Sequence, residues 1–286
     1  MRAIADGSAN SAGWVKRHSL PIYFVLTFGI SWAGAFLVVA PYLLHKTPIP
    51  QLAGLLIFPA MLLGPIVAGL VMTAVTDGRA GVQAMFRRMN PGRVELRWYA
   101  VLLLPPAAVL WVLNLLAWLV SPSFHPNHFW LGIAFGIPAG VFEEIGWTGF
   151  AFSKLRRNGT TFLAASNLLG ILWGLWHLPA INYLGASTPH GHYWFLFFLA
   201  FTFAMAAIRV LIAWLYESTH SVLLAQLLHV SSTGALVVFS PQVGSLRESF
   251  WYVAYDTTLW FAVVAVLLSR NEAKTHQNLP SSADGP

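Results

Sequence analysis

The chain of 286 residues contains no cysteine. Disulfides, thiolate nucleophiles and cysteine-ligated metal or iron–sulfur centres are therefore excluded. Charge is scarce too: Asp, Glu, Lys and Arg make up only 9% of the residues, whereas hydrophobic residues make up 57%. Together with a mean hydropathy of +0.65, this balance excludes an ordinary soluble domain and points to an integral membrane protein. The 13 Trp and 20 Phe suit large lipid-facing and interfacial surfaces. A net charge of +6 raises nucleic acid as a partner, but the positive residues sort by loop instead, so no nucleic-acid binding is expected.

Eight apolar segments are laid out along the chain, at about 21–44, 51–76, 97–120, 129–153, 161–184, 193–216, 221–240 and 250–269. Most reach the roughly 20 residues that a spanning helix needs, and a helix is the element that satisfies its own backbone in lipid. The predicted fold is thus an all-α membrane bundle of about eight transmembrane helices around a buried polar site. Placing both termini in the cytoplasm puts 13 Lys and Arg on that side, while Lys46 and Arg247 fall on the other and Arg209 lies inside the sixth span. That split is a strong positive-inside signal. The expected organisation is a cytoplasmic segment 1–20, one membrane domain 21–270 and a disordered polar tail 271–286. The loop 77–96 carries Gly, Arg and Pro and suits a short interfacial helix, its arginines also being drawn to lipid headgroups.

Polar groups are rare inside the spans, and three sets stand out. Glu143 and Glu144 are adjacent in the fourth segment, about ten residues or ~15 Å from the cytoplasmic Lys154. An ionised carboxylate at that depth costs several kcal/mol and persists where a bundle interior or wet cavity receives it. Neighbouring residues point about 100° apart on a helix, so one carboxylate can serve chemistry while the other pairs with a cation or a helix end. The fifth segment places Trp173 and His177 on one face, with Pro179 loosening the helix just beyond them. The seventh places His229 and Thr233 on one face in the same way. A single membrane histidine often only bonds a neighbouring helix, but two beside a glutamate pair point to a functional site.

Such a set activates water. A glutamate acts as general base, a histidine orients the water, and a second histidine with a hydroxyl neighbour donates to a developing oxyanion. The same Glu143, His177 and His229 set suits one divalent metal such as zinc with an open water position. The cofactor is therefore either none or one metal, and both routes lead to amide hydrolysis. Other protease signatures are absent: there is no His-Glu-x-x-His pair, no Gly-x-Gly-Asp motif and no convincing Gly-x-Ser-Gly loop. An aspartyl dyad lacks its second member, since Asp256 is the only Asp within a span.

On these residues the chain resembles the CPBP intramembrane endopeptidases, which join type II CAAX prenyl proteases to bacteriocin-processing and abortive-infection proteins. Their pattern is Glu-Glu-x-x-x-Arg, then Phe-x-x-x-His, then His-x-x-x-Asn or a similar polar residue, on successive helices of an eight-span bundle. Here Glu143-Glu144, Trp173-x-x-x-His177 and His229-x-x-x-Thr233 match in order, over roughly 129–240. The resemblance implies that Glu143 activates water with His177, that His229 and Thr233 stabilise the oxyanion, and that Glu144 is structural or assisting. It also implies a multi-pass protein of a bacterial inner membrane acting on a peptide or membrane-associated protein. Three residues depart from the pattern: Thr148 stands for Arg, Trp173 for Phe and Thr233 for Asn. The Trp change looks mild, because both are large apolar walls. Arg209 either supplies the counter-charge lost at Thr148 or is a snorkelling or bundle-packing arginine. Two other classes compete with the peptidase: a non-catalytic immunity or scaffold protein of the same fold, and a proton-coupled transporter. Against the latter stands the lack of inverted halves.

Overall fold

A computed structural model describes residues 13–90, 92–183 and 191–277. The described chain is all-helical, with no strand among its elements. The helices are α1 (Ser19–Leu44), α2 (Gln51–Met89), α3 (Leu96–Leu119), α4 (Ile133–Glu144), α5 (Ser153–Arg157), α6 (Phe162–Trp176), α7 (Leu178–Tyr183), α8 (Trp194–Thr219), α9 (Val222–Phe239) and α10 (Ser245–Gln277). Among the described residues, seven helical stretches are long and apolar enough to cross a membrane. The protein is an integral, multi-pass helical bundle. Outward-facing Leu37, Leu44, Trp118, Phe195 and Phe261 are exposed, as side chains that meet acyl chains must be.

The expected fourth span, 129–153, differs from the others. Its α-helix, α4, lasts only 12 residues before the backbone changes to a π-helix over Ile145–Phe152, and α5 follows without a gap. No unbroken α-helix of spanning length exists there. The segment that carries the glutamate pair is the one whose hydrogen-bond ladder shifts, and such π turns concentrate at functional sites. Small residues let it pack deep: a Cβ on Gly69 would lie 2.8 Å from Gly146 Cα, so α2 and the π segment touch backbone to backbone. Gly136 and Gly140 bring α4 equally close to α9, since a Cβ on Gly136 would meet the Val230 carbonyl at 2.7 Å. This is the small-residue packing that lets membrane helices approach without a hydrophobic driving force.

Helix α8 is the centre of the bundle, packing on α6, α9 and α10. Every residue from Ala204 to Ala213 is buried, including Arg209. A helix stretch apolar all round belongs inside, and the one charge within it must find a partner there. His220, in the left-handed region at φ 53°, turns the chain sharply, and the Ser221 hydroxyl caps α9 by accepting from Leu224 N–H at 3.0 Å. Arg209 and His229 lie about ten and eight residues either side of this turn, so the antiparallel pair brings them to similar depth, ~12–15 Å from it. Two ends differ from expectation: α2 continues past 76 to Met89 after a break at Gly78 (φ 66°), and α10 continues past 270 to Gln277. Residues 1–12 and 278–286, parts of the expected N-terminal segment and disordered tail, lie outside the described residues.

Candidate active site

The break after α6 shapes the first half of the site. Pro179 cannot continue the helix, and the His177 N–H turns to the Gly174 carbonyl at 3.2 Å in a tighter turn. The Trp173 carbonyl is thereby released, and His177 Nδ1 donates to it at 2.7 Å. A carbonyl only accepts, so the hydrogen sits on Nδ1 and the lone pair on Nε2. His177 is half-buried, with its ring edge-on to Trp173, Trp176 and Phe201.

The second half gathers on Glu144. Arg209 grips both carboxylate oxygens, with Nη1 to Oε2 at 2.8 Å and Nη2 to Oε1 at 2.9 Å. His229 Nδ1 donates to Oε1 at 2.8 Å, and the Thr148 hydroxyl, one turn along, donates to Oε2. The guanidinium also stacks over the Trp173 ring, 4.5 Å from its centroid. Glu144 and Arg209 are both 0% exposed, so this is a buried pair in which both carboxylate oxygens are fully bonded while the Arg209 Nε–H has no acceptor among the described residues. Arginine stays charged, so its bidentate partner is a carboxylate, and the His229 hydrogen must sit on Nδ1.

Glu143 is placed quite differently. Its Oε2 accepts a single hydrogen bond, from Trp173 Nε1 at 2.7 Å, and Oε1 bonds to no described residue. The Trp173 indole is thus the hub of the site. Its N–H holds Glu143, its face covers Arg209, and the rings of His177 and His229 stand 5.4 and 4.9 Å away. Side chains from the fourth, fifth and seventh predicted spans meet around it. Beside His177, the buried indole N–H of Trp176 has no acceptor among the described residues, and neither has that of Trp147, whose ring meets Trp176 edge-on.

Thr233 stands apart. It is half-buried on α9 one turn beyond His229, and none of the hydrogen bonds of the cluster reaches it. Thr148 does not leave an empty place where an arginine would stand; it closes onto Glu144 beside Arg209, which lies 3.4 Å from its hydroxyl. The indole donor to Glu143 was missed by a reading that took Trp173 for an apolar wall. The visible signal was Trp, the aromatic with a donor, in a Phe position. Glu143, His177 and His229 do not come together as a metal-holding trio among the described residues. Both His Nδ1 atoms and one Glu143 oxygen are already committed to protein partners. These bonds leave both Nε2 atoms and Glu143 Oε1 uncommitted, so what stands against the metal alternative is that the three groups do not converge, and no step below is routed through a metal.

Residues 125–234 match the family described as Type II CAAX prenyl endopeptidase Rce1-like. That stretch takes in both glutamates, Trp173, His177, Arg209 and His229. The chain is also 25% identical over 227 residues to CAAX prenyl protease 2 of Methanococcus maripaludis, covering 74% of this chain and 82% of that protein. Both matches support the CPBP family. They indicate a membrane-embedded peptidase, the class the site residues suggest on chemical grounds.

Proposed function

We propose that this CPBP-family protein hydrolyses a peptide bond with a water activated by Glu143, and that its substrate is a membrane-associated CAAX-type protein or another peptide presented at the bilayer. The observation that carries the reading is the asymmetry of the glutamate pair. Glu144 is saturated by Arg209, His229 and Thr148, whereas Glu143 is steadied by one indole and keeps an oxygen for water.

In the proposed reaction Glu143 Oε1 takes a proton from water while the Nε2 lone pair of His177 accepts the water's other hydrogen. The water oxygen bonds to the scissile carbonyl carbon, and its π electrons move to oxygen. In this reading His229 offers Nε2–H to the oxyanion while its Nδ1–H stays on Glu144. The oxyanion then collapses to the carbonyl as the proton on Glu143 passes to the amide nitrogen and the C–N bond breaks, leaving a carboxylic acid, an amine and Glu143 as a carboxylate again. With the arginine-rich helix ends facing the cytoplasm of a bacterial inner membrane, the substrate enters from that side.

Substrate trapping with Glu143→Gln, read by mass spectrometry of co-purifying peptides, tests this reading. The variant is expected to fold, to retain an uncleaved membrane-associated partner and to lose turnover. An unchanged cleavage product would remove Glu143 from the reaction. A cellular phenotype that survives without turnover would favour the non-catalytic scaffold, for which the detached Thr233 is the one specific indication.

A further inference from the structure

A second polar region lies at the opposite, basic end of the π segment. There a cavity of about 670 Å³ opens between α2, the π segment with α5, and the end of α8. The His-bearing helices α6 and α9 contribute no residue to its lining, so it is separate from the site around Trp173. Arg87, Arg88, Arg156 and Arg157 line it, against the carboxylates of Asp77 and Glu217.

The charges do not balance. Arg157 binds Asp77 at 3.1 Å, and Glu217 is shared between Arg156 at 2.5 Å and Arg270 at 2.8 Å. Both carboxylates are thus taken. Arg88, half-buried, meets only neutral acceptors: Ser153 Oγ at 2.9 Å, the Gly149 carbonyl at 3.0 Å and the Tyr216 hydroxyl. Arg87 beside it is exposed, and its side chain bonds to no described residue. Two guanidinium groups therefore face one cavity without a counter-ion among the described residues, and the Tyr216 and Ser153 hydroxyls and His220 stand on the same walls. Planar guanidinium forks match phosphate oxygens, and basic pockets between helix ends at the membrane surface are where anionic headgroups settle.

We propose that this cavity is a phosphate-binding site that seats the headgroup of an anionic phospholipid. One phosphodiester charge lies between Arg87 and Arg88, with the Tyr216 and Ser153 hydroxyls as further donors. The site does not depend on the hydrolytic reading. Because Arg88 also holds the Gly149 carbonyl, the bound lipid anchors the π segment that follows the glutamate pair.

Native mass spectrometry of the full chain in detergent, titrated with phosphatidylglycerol, phosphatidylcholine or inorganic phosphate, tests the proposal. The expected result is one tightly retained phosphatidylglycerol, bound more tightly than phosphatidylcholine. Arg87→Gln should weaken its binding about fivefold and the Arg87→Gln/Arg88→Gln pair further still. The Arg87 side chain is exposed and bonds no described residue, so Arg87→Gln reports on the site even where the double variant fails to fold. Displacement of the lipid by millimolar inorganic phosphate would keep the phosphate site and assign it to the free ion. Equal retention of both lipids, or phosphatidylglycerol binding unchanged in Arg87→Gln, would overturn the proposal. So would an Arg87→Gln variant that loses a C-terminal peptide carboxylate while keeping the lipid.

Discussion

Glu143 and Glu144 are adjacent in the chain and both are buried, at 2% and 0% exposure, yet the protein treats them in opposite ways. Glu144 receives hydrogen bonds from Arg209, His229 and Thr148, drawn from α8, α9 and its own π segment. Glu143 receives one, from an indole on α6. The turn of a helix between neighbouring residues is the cause, since about 100° of rotation sends one carboxylate to the central helix and the other to the α6 side. The lesson is that a saturated carboxylate has no lone pair left for a reacting proton, while a sparsely bonded one does. In this bundle, structural and chemical duties divide between two copies of one residue.

That contrast can be broken most forcefully from the Glu144 side. Arg209→Met leaves a buried carboxylate without its cation and is expected to cost about 3–5 kcal/mol, seen as a large fall in the melting temperature of the detergent-purified chain. A variant that melts like the parent would mean Glu144 is held by His229 and Thr148 alone. A smaller effect comes from Trp173→Phe, which keeps an aromatic wall, removes the donor to Glu143 and leaves a smaller ring over Arg209. Losing a hydrogen bond to a charged group should lower kcat about tenfold with KM little changed, at a cost of about 1–3 kcal/mol in stability. If KM changes instead, the indole serves the substrate and not the base. Smallest is Thr148→Val, which deletes one donor to Glu144. It should cost about 1 kcal/mol of stability and leave the cleavage rate as it was. A matching loss of rate would show that the two carboxylates are not separable.

Much of this was legible in the sequence, and the reasons are physical. Long apolar runs can only be helices in lipid, so the α-helical bundle followed from hydropathy, and buried Glu and His were conspicuous against that background. The π turn was not legible. Ile145–Phe152 is apolar on every side, so no periodicity distinguishes an i+4 ladder from an i+5 one. Arg209 was visible as a misplaced charge, but its choice of Glu144 over Glu143 depends on the rotation of α4 against α8. Trp173 was read by size, whereas its role rests on one N–H whose direction only the break at His177 and Pro179 sets. The arginines of 79–97 and 154–157 were countable in advance, but which of them lack carboxylates depends on helix ends that meet only in the folded chain.

The most direct test compares Glu143→Gln with Glu144→Gln, measuring peptide cleavage and thermal melting on the same lipid-nanodisc preparations. Glu143→Gln is predicted to melt with the parent protein and to cleave at least about 100-fold more slowly, the usual contribution of a general base. Glu144→Gln should instead melt well below the parent. Cleavage by Glu143→Gln at the parental rate would contradict the division of labour on which the proposed reaction rests.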